Sequence, residues 1–365
     1  MKAASGARYM PELDFSTHDL HPGFLNPFGD FREETHTVQV RRDPLLGDVS
    51  LYNPRLKEKV KFFFGDVDVG LISKLAEETA RGCIFCPERR EANTPRFPPD
   101  LIPEGRIRIG EAELFPNLFP VAGYHAVIVL SRAHFLPLSG FTPGIIFDGL
   151  RVARQFVDAV YQRDESAAFV AVNANYLFPA GATLVHPHLQ LIVNPFALSY
   201  QARLHDACRR YHHTHGTGYF SDLTEQEEKR GARSVARTGG WHWLTAFSPT
   251  GNNEVIAVHE AAWDFAAIPE ADLMHLADGI SRVLACYETL GHLSFNYSLL
   301  SVRQSSSPEG FRCLLKIISR QNPYPNYRND DYFLQKLLQA EVIVNLPEEL
   351  AARLRGFFER QGGTT

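Results

Sequence analysis

Two short stretches hold the residues best suited to chemistry. One, Gly181–Asn194, reads GATLVHPHLQLIVN; the other, Cys83–Cys86, reads CIFC. In the first, Val185, Pro187, Leu189, Leu191 and Val193 alternate with His186, His188 and Gln190. A period of two marks a strand with one buried face. The opposite face then carries two imidazoles and an amide, next to the small-residue turn Gly181, Ala182, Thr183. Pro187 cannot donate to a sheet ladder, so an edge, a bulge or a strand start is expected there. Same-face neighbours on a strand stand about 7 Å apart. A neutral imidazole held by a hydrogen bond at one ring nitrogen presents the other as a nucleophile. If His186 ligates a metal, His188 is left free to attack, and Gln190 beside it offers amide donors suited to phosphate oxygens.

Cys83 and Cys86 are followed at once by Pro87. A CxxC turn brings two thiolates onto one ion and matches half of a zinc site; a redox pair or two buried thiols is the plainer reading. No second CxxC occurs, so any further ligands are histidines or carboxylates. His212, His213 and His215 read as a solvent-facing helix end. The chain has no G-x-G-x-x-G, no G-x-x-x-x-G-K-[ST] and no nucleophile elbow, so the chemistry left is that of histidine.

The rest of the chain has to position these groups. At 365 residues with 44% hydrophobic content it is long enough for two domains or one large composite. Its mean hydropathy of −0.19 is that of a soluble chain, and no apolar run approaches membrane-spanning length. The start, MKAASGARYMPELDF, has no sustained apolar segment, so no secretory signal is expected. A net charge of −5 argues against a nucleic-acid partner while leaving room for a nucleotide-sized ligand. Five cysteines do not resemble a disulfide framework, and a cytoplasmic chain with a metal site is expected.

Residues 1–35 read as an irregular arm, packed on the body through Phe24, Phe28 and Phe31. Thr37–Val40 and Val49–Tyr52 flank turn residues and predict a hairpin-like pair. Helices are expected over 69–81, Pro143–Arg163 and Glu270–Leu290, where apolar residues recur at helical spacing. Strands are expected over 106–110, 113–119, Ala126–Leu130 and Ala167–Asn175. They return in WHWLTAFSP, EVIAVHE, SFNYSLLSV and FRCLLKIISR. Between the two groups, SYQARLHDACRRY suggests a helix and SDLTEQEEKRGARSVARTGG is polar and loop-prone. Tyr332–Glu341 and Pro347–Phe358 read as helical. The order strand, strand, helix, strand, strand occurs twice, which predicts an α+β fold of two related halves sharing an extended sheet. The expected divisions are an arm over 1–35, a first half over 36–195, a connector over 196–240 and a second half over 241–365.

HPHLQ, with the CxxC upstream and this order of elements, resembles the galactose-1-phosphate uridylyltransferase branch of the histidine-triad superfamily, from roughly Arg42 to the C-terminus. The resemblance implies two histidine-triad-like halves from an internal duplication, with an antiparallel sheet flanked by helices. It implies a structural zinc held by Cys83, Cys86, His134 and His186. Asn117, Asn175, Gly181, Thr183 and Gln190 correspond to the family's substrate-binding positions, with Thr183 in place of Ser. By the same resemblance His188 attacks the α-phosphorus of a nucleoside diphosphate sugar, expels a sugar 1-phosphate and carries the nucleotide covalently until a second sugar 1-phosphate collects it. A related activity is a phosphorylase in which inorganic phosphate takes the nucleotide from an ADP-sugar or a dinucleoside polyphosphate. A nucleotide-binding or zinc-stabilised interaction protein without catalysis is the reading from another class. A homodimer is an expectation of the resemblance alone.

Departures from the family pattern are local. Leu118 stands where an Asp that contacts the ribose is common, and Leu56, with Arg55 adjacent, stands near the position of a phosphate-binding Arg. Leu314-Leu315-Lys316 replaces a His-x-His in the last strand, so no second metal is expected there. Lys316 and Arg320 are either positive charge for phosphate or a solvated strand end.

Overall fold

The computed structural model describes residues 11–59, 65–306, 309–325 and 329–359. The chain opens with short strands β1 (Thr17–Leu20), β2 (Gly23–Asn26), β3 (Arg32–Thr35), β4 (Val38–Arg42) and β5 (Val49–Tyr52). Helices α1 (Val69–Ala80) and α2 (Pro87–Asn93) precede β6 (Ile107–Ile109), β7 (Ala112–Pro116), β8 (Tyr124–Val129), helix α3 (Pro143–Arg163), β9 (Phe169–Tyr176) and β10 (His188–Asn194). Then come α4 (Ser199–His215) and α5 (Tyr219–Arg230), followed by β11 (Ser234–Thr238), β12 (Trp241–Thr245), β13 (Val255–His259), helix α6 (Glu270–Thr289), β14 (Phe295–Val302) and β15 (Leu314–Ser319). Helix α7 (Phe333–Leu338), β16 (Ala340–Ile343) and helix α8 (Pro347–Glu359) complete the described chain. No helix among the described residues is long and apolar enough to cross a membrane.

Ten strands form one antiparallel sheet in the order β11-β12-β13-β15-β14-β9-β10-β8-β7-β6. Read from either edge, the sheet shows the same succession: three consecutive strands, then the fifth and fourth of that half. The chain is therefore an α+β duplication, its halves joined where β9 pairs with β14. Helices α3 and α6 cover one face. Leu189, Leu191 and Val193 of β10 join Val172, Ala174, Leu315 and Ile317 in the core beneath them. Gly279 lets α6 approach this closely, since a Cβ there would stand 1.9 Å from the Trp243 ring. The other face carries His188 and Gln190; α4 and α5 cover part of it, with Leu204, Cys208, Tyr219 and Leu223 packed among Ala171, Leu244, Val258 and Leu300.

The local expectations for β4, β5, β9, β10, α1, α3 and α6 agree with the structure to within a few residues. Pro187 marks a strand start, and the strand it opens lies inside the sheet between β9 and β8. Three readings are corrected. Residues 17–35 are not irregular: β1 pairs with β4, and β2 with β3. Phe28 and Phe31 are 98% and 66% exposed, so they do not pack on the body; the Phe24 ring instead meets His36 edge-on at 4.9 Å. The polar stretch 221–240 holds most of helix α5 and all of edge strand β11, so the second half of the sheet begins at Ser234. Its helical period was hidden because α5 buries polar residues. Asp222 accepts from Tyr211 and Thr217, Gln226 bonds Leu13 and Pro11, and Glu227 pairs with Arg233. The helix expected over Tyr332–Glu341 stops at Leu338, where Gln339 takes a positive φ of 51° and the chain enters β16, parallel to β5.

Candidate functional site

The CxxC sits between α1 and α2, where the chain turns so that Cys86 precedes Pro87 at the start of α2. From the sequence-distant end of the site come His134, after β8, and His186, two residues before β10. Cys86 Sγ stands 3.5 Å from His134 Nδ1 and 3.6 Å from His186 Nδ1, and Cys83 Sγ stands 3.8 Å from His186 Nδ1. All four donor atoms lie within 4.8 Å of one another, the one such group among the described residues. The ring nitrogens that face outward fix both tautomers. His186 Nε2 donates to the Ser131 carbonyl at 2.8 Å. His134 Nε2 donates to Thr79 Oγ1 at 2.9 Å, because the Thr79 proton is already given to the Leu75 carbonyl. Both Nδ1 lone pairs are thereby aimed at the thiols, the orientation that metal-binding imidazoles take when their other nitrogen is anchored. Burial lowers the His186 imidazole to about 4, and burial with Cys83 alongside pushes the Cys86 thiol up to about 11. The four residues are placed to hold a metal ion.

His188 opens β10 beside this cluster. Its Nδ1 is 2.7 Å from the His186 carbonyl, which can only accept, so Nδ1 carries the proton and Nε2 the free lone pair. Burial holds the ring below the usual imidazole range and therefore neutral at physiological pH. The Phe85 ring meets His188 at 5.2 Å and His186 at 6.3 Å, both edge-on, so the two imidazoles share a face.

Gln190 and Asn175 flank His188 on the same sheet face. Gln190 pairs across to Asn173 and Val127, and Asn175 lies one step beyond the Leu189–Ala174 pair, next to His188. His125 accepts from the Val121 amide through Nδ1 and donates from Nε2 to Gln190 Oε1 at 3.0 Å. The Asn117 amide rests against the same ring, with Nδ2 3.2 Å from Nε2 and Oδ1 receiving the Phe119 amide. Between β9 and β10, Leu177 takes φ 65°, ψ 166°, a conformation close to glycine's own, and Gly181 takes φ 85°. This strained turn leaves Thr183 exposed at its outer end. The structure thus brings His188, Gln190, Asn175 and Asn117 to one sheet face.

The sheet centre carries more polar residues than the sequence reading picked out. Asn173, Asn296 and Ser298 line a cavity of about 660 Å³ over this face, walled by the start of α4 and by residues 335–341. The signal was present: in β9 and β14 these residues alternate with Val172, Ala174, Tyr297 and Leu299, but polar alternation alone looks like a solvated face. Lys316 and Arg320 are neither solvated nor free for phosphate. Lys316 pairs with Glu254 at 3.1 Å, and Arg320 grips Asp330. Arg55 pairs with Glu58 and Glu34 at the surface, and Leu118 is exposed.

Glu341 lines the same cavity, and burial raises its carboxyl to about 7, only partly offset by bonds from Gln335 and the Val342 amide. A carboxyl raised on folding binds its proton more tightly in the native state, so stability falls as pH rises from about 4.5 to about 7. Urea midpoints at pH 5 and pH 8 test this; in Glu341→Gln the contribution should vanish, and an unchanged difference would remove Glu341 as its source.

No family model matches the chain. Over 324 residues, 88% of the chain and 93% of the other protein, it is 31% identical to an uncharacterized protein of Archaeoglobus fulgidus. The two belong to one family. The architecture of this chain is also that of solved structures. An ADP-glucose phosphorylase from Arabidopsis thaliana with bound ADP-glucose superposes at a TM-score of 0.66, with 16% identity over 90% of this chain and 99% of that one. A GalT-like protein of the same plant gives 0.64 at 17% identity, covering 87% and 98%. A uridylyltransferase gives 0.62 at 17%, covering 89% and 99%. The fold is the one that these phosphorylase and uridylyltransferase structures share.

Proposed function

We propose that the chain is a nucleotidyltransferase that carries a nucleoside monophosphate on His188. The observation that supports this reading is the Nε2 lone pair of a neutral, anchored imidazole, flanked by the amides of Gln190 and Asn175. Nε2 attacks the α-phosphorus of a nucleoside diphosphate sugar. A P–N bond forms as the bond from the α-phosphorus to the bridging oxygen breaks, and the sugar 1-phosphate leaves with that electron pair. A phosphate oxygen of the acceptor then attacks the same phosphorus, and the P–N bond breaks to restore the free imidazole. Phosphoryl-type transfer asks mainly for positioning and for donors aimed at the equatorial oxygens. Gln190 Nε2, the Asn175 amide and Thr183 at the Gly181 turn supply those donors, and Asn117 holds the nucleoside.

The ion read for Cys83, Cys86, His134 and His186 is zinc. Tetrahedral zinc with bonds of about 2.3 Å to sulfur and about 2.0 Å to nitrogen places sulfur and nitrogen about 3.5 Å apart, close to the 3.5–3.8 Å separations present. Bound there, it supplies structural rigidity to the turn whose carbonyl, at His186, holds the His188 ring.

The test is a panel of UDP-, ADP- and GDP-sugars labelled at the α-phosphate and incubated with the protein alone. Acid-labile label on the chain is expected with at least one of them; its absence across the panel would favour a binding protein without catalysis. The similarity to an ADP-glucose phosphorylase makes inorganic phosphate the competing acceptor. Discharge of the label by sugar 1-phosphate alone identifies a transferase, and discharge by phosphate alone a phosphorylase.

A further inference from the structure

The amide groups beside His188 act as donors only if they are held the right way round. An Asn or Gln side chain offers hydrogens from one end and lone pairs from the other, and a 180° flip exchanges them at little steric cost. Gln190 is fixed from within its own half through His125. Asn175 is fixed from the other half of the duplication. Asn296, opposite Asn175 across the β9–β14 seam, gives its Nδ2 hydrogens to Asn175 Oδ1 at 2.7 Å and to the Ala180 carbonyl at 2.8 Å. Its Oδ1 receives Arg320 Nη1 at 2.6 Å.

Arg320 decides the direction. A guanidinium has no lone pair to offer, so the oxygen of Asn296 must face it and the NH₂ must face Asn175 and the Gly181 turn. Asp330 holds the guanidinium in turn, through Nε at 2.8 Å and through Nη2. The series carboxylate, guanidinium, amide, amide has one consistent polarity, and it leaves the NH₂ of Asn175, not its oxygen, as the end turned away from Asn296.

We propose that Arg320 and Asn296 are positioning residues that set the flip state of Asn175 and the seat of the Ala180–Thr183 turn, so that hydrogens and not lone pairs meet the reacting phosphate. The proposal rests on reading Asn175 as a phosphate donor. It gives the second half of the duplication, whose last strand has no histidine pair, a task at the site of the first.

The test separates polarity from mere packing. Asn296→Ala removes the constraint and leaves Asn175 free to turn either way. Asn296→Asp keeps the shape and the Arg320 bond but cannot donate, so Asn175 must give its hydrogens to the carboxylate and present its oxygen to phosphate. Asn296→Asp is therefore expected to slow covalent labelling by α-labelled nucleotide sugar about 100-fold, the scale of losing one donor to a charged transition state, and Asn296→Ala about 10-fold. In an Asn175→Ala background Asn296→Asp should cost little more. Metal content and Tm control for the fold. Equilibrium dialysis of the same nucleotide sugar is run in parallel, so the order of the variants is also read as affinity, apart from whether the chain labels at all. If Asn296→Asp does not fold, Arg320→Gln serves instead, because glutamine can donate or accept; a roughly 10-fold loss is expected. Asn296→Asp equal to or better than Asn296→Ala, additive losses with Asn175→Ala, or an unchanged Arg320→Gln would each overturn the proposal.

Discussion

Replacing His188 by Ala removes covalent labelling altogether, a loss on the order of 10⁴-fold or more, as expected when the group that forms the covalent bond is deleted. The fold should survive. His188 gives one hydrogen bond to the His186 carbonyl and one edge contact to Phe85, and losing such a bond costs roughly 1 kcal/mol. Metal content should be unchanged, because Nε2 of His188 is not among the grouped donor atoms. Intact-mass measurement after incubation with the nucleotide sugar that labels the wild type reads the result. An adduct on His188→Ala would move the nucleophile elsewhere. His188→Gln sharpens the experiment, since it keeps a polar side chain at the strand start while lacking a nucleophilic lone pair; it too should carry no label.

The second large effect belongs to the metal cluster. Structural zinc sites contribute of order 10 kcal/mol to folding at neutral pH, because the site is absent from the unfolded chain. A whole domain is typically stable by about 5–15 kcal/mol. Cys83→Ser or extraction by a strong chelator should therefore lower Tm by many degrees and release one metal ion per chain. His186→Ala should destabilise more than His188→Ala, by several kcal/mol against roughly one or two, since it deletes a ligand and the shorter of the two hydrogen bonds to the Ser131 carbonyl. Labelling should fall in the chelated protein as well, because the His188 ring hangs on the carbonyl of His186. A fully folded chain without metal would refute the site, and His188→Ala less stable than His186→Ala would exchange the two histidines' roles.

These effects come from a site whose centre is local and whose support is not. The strand β10, its start after Pro187, the shared face of His188 and Gln190 and the CxxC turn were all legible, because alternation and a two-residue spacing act over a few ångströms of chain. The pairing of Cys83 and Cys86 with His134 and His186 spans up to 103 residues and came from the family resemblance; no spacing rule reaches that far. Where side chains satisfied one another at long range, the reading erred. The helix α5 looked like loop because Asp222, Gln226 and Glu227 are buried against partners that only folding supplies. Lys316 and Arg320 looked like free charge until Glu254 and Asp330 closed on them.

What the sequence by itself determined is the chemistry on offer: an imidazole on a strand with one polar face, and a CxxC turn that pairs two thiols. The tertiary structure decided its polarity. A sequence states that an amide is present but not which end it turns outward, because that depends on donors such as Asn296 and His125, 121 and 65 positions away from the amides they bond. Only the sheet, by laying β8 against β10 and β14 against β9, brings His125 to Gln190 and Asn296, itself held by Arg320, to Asn175.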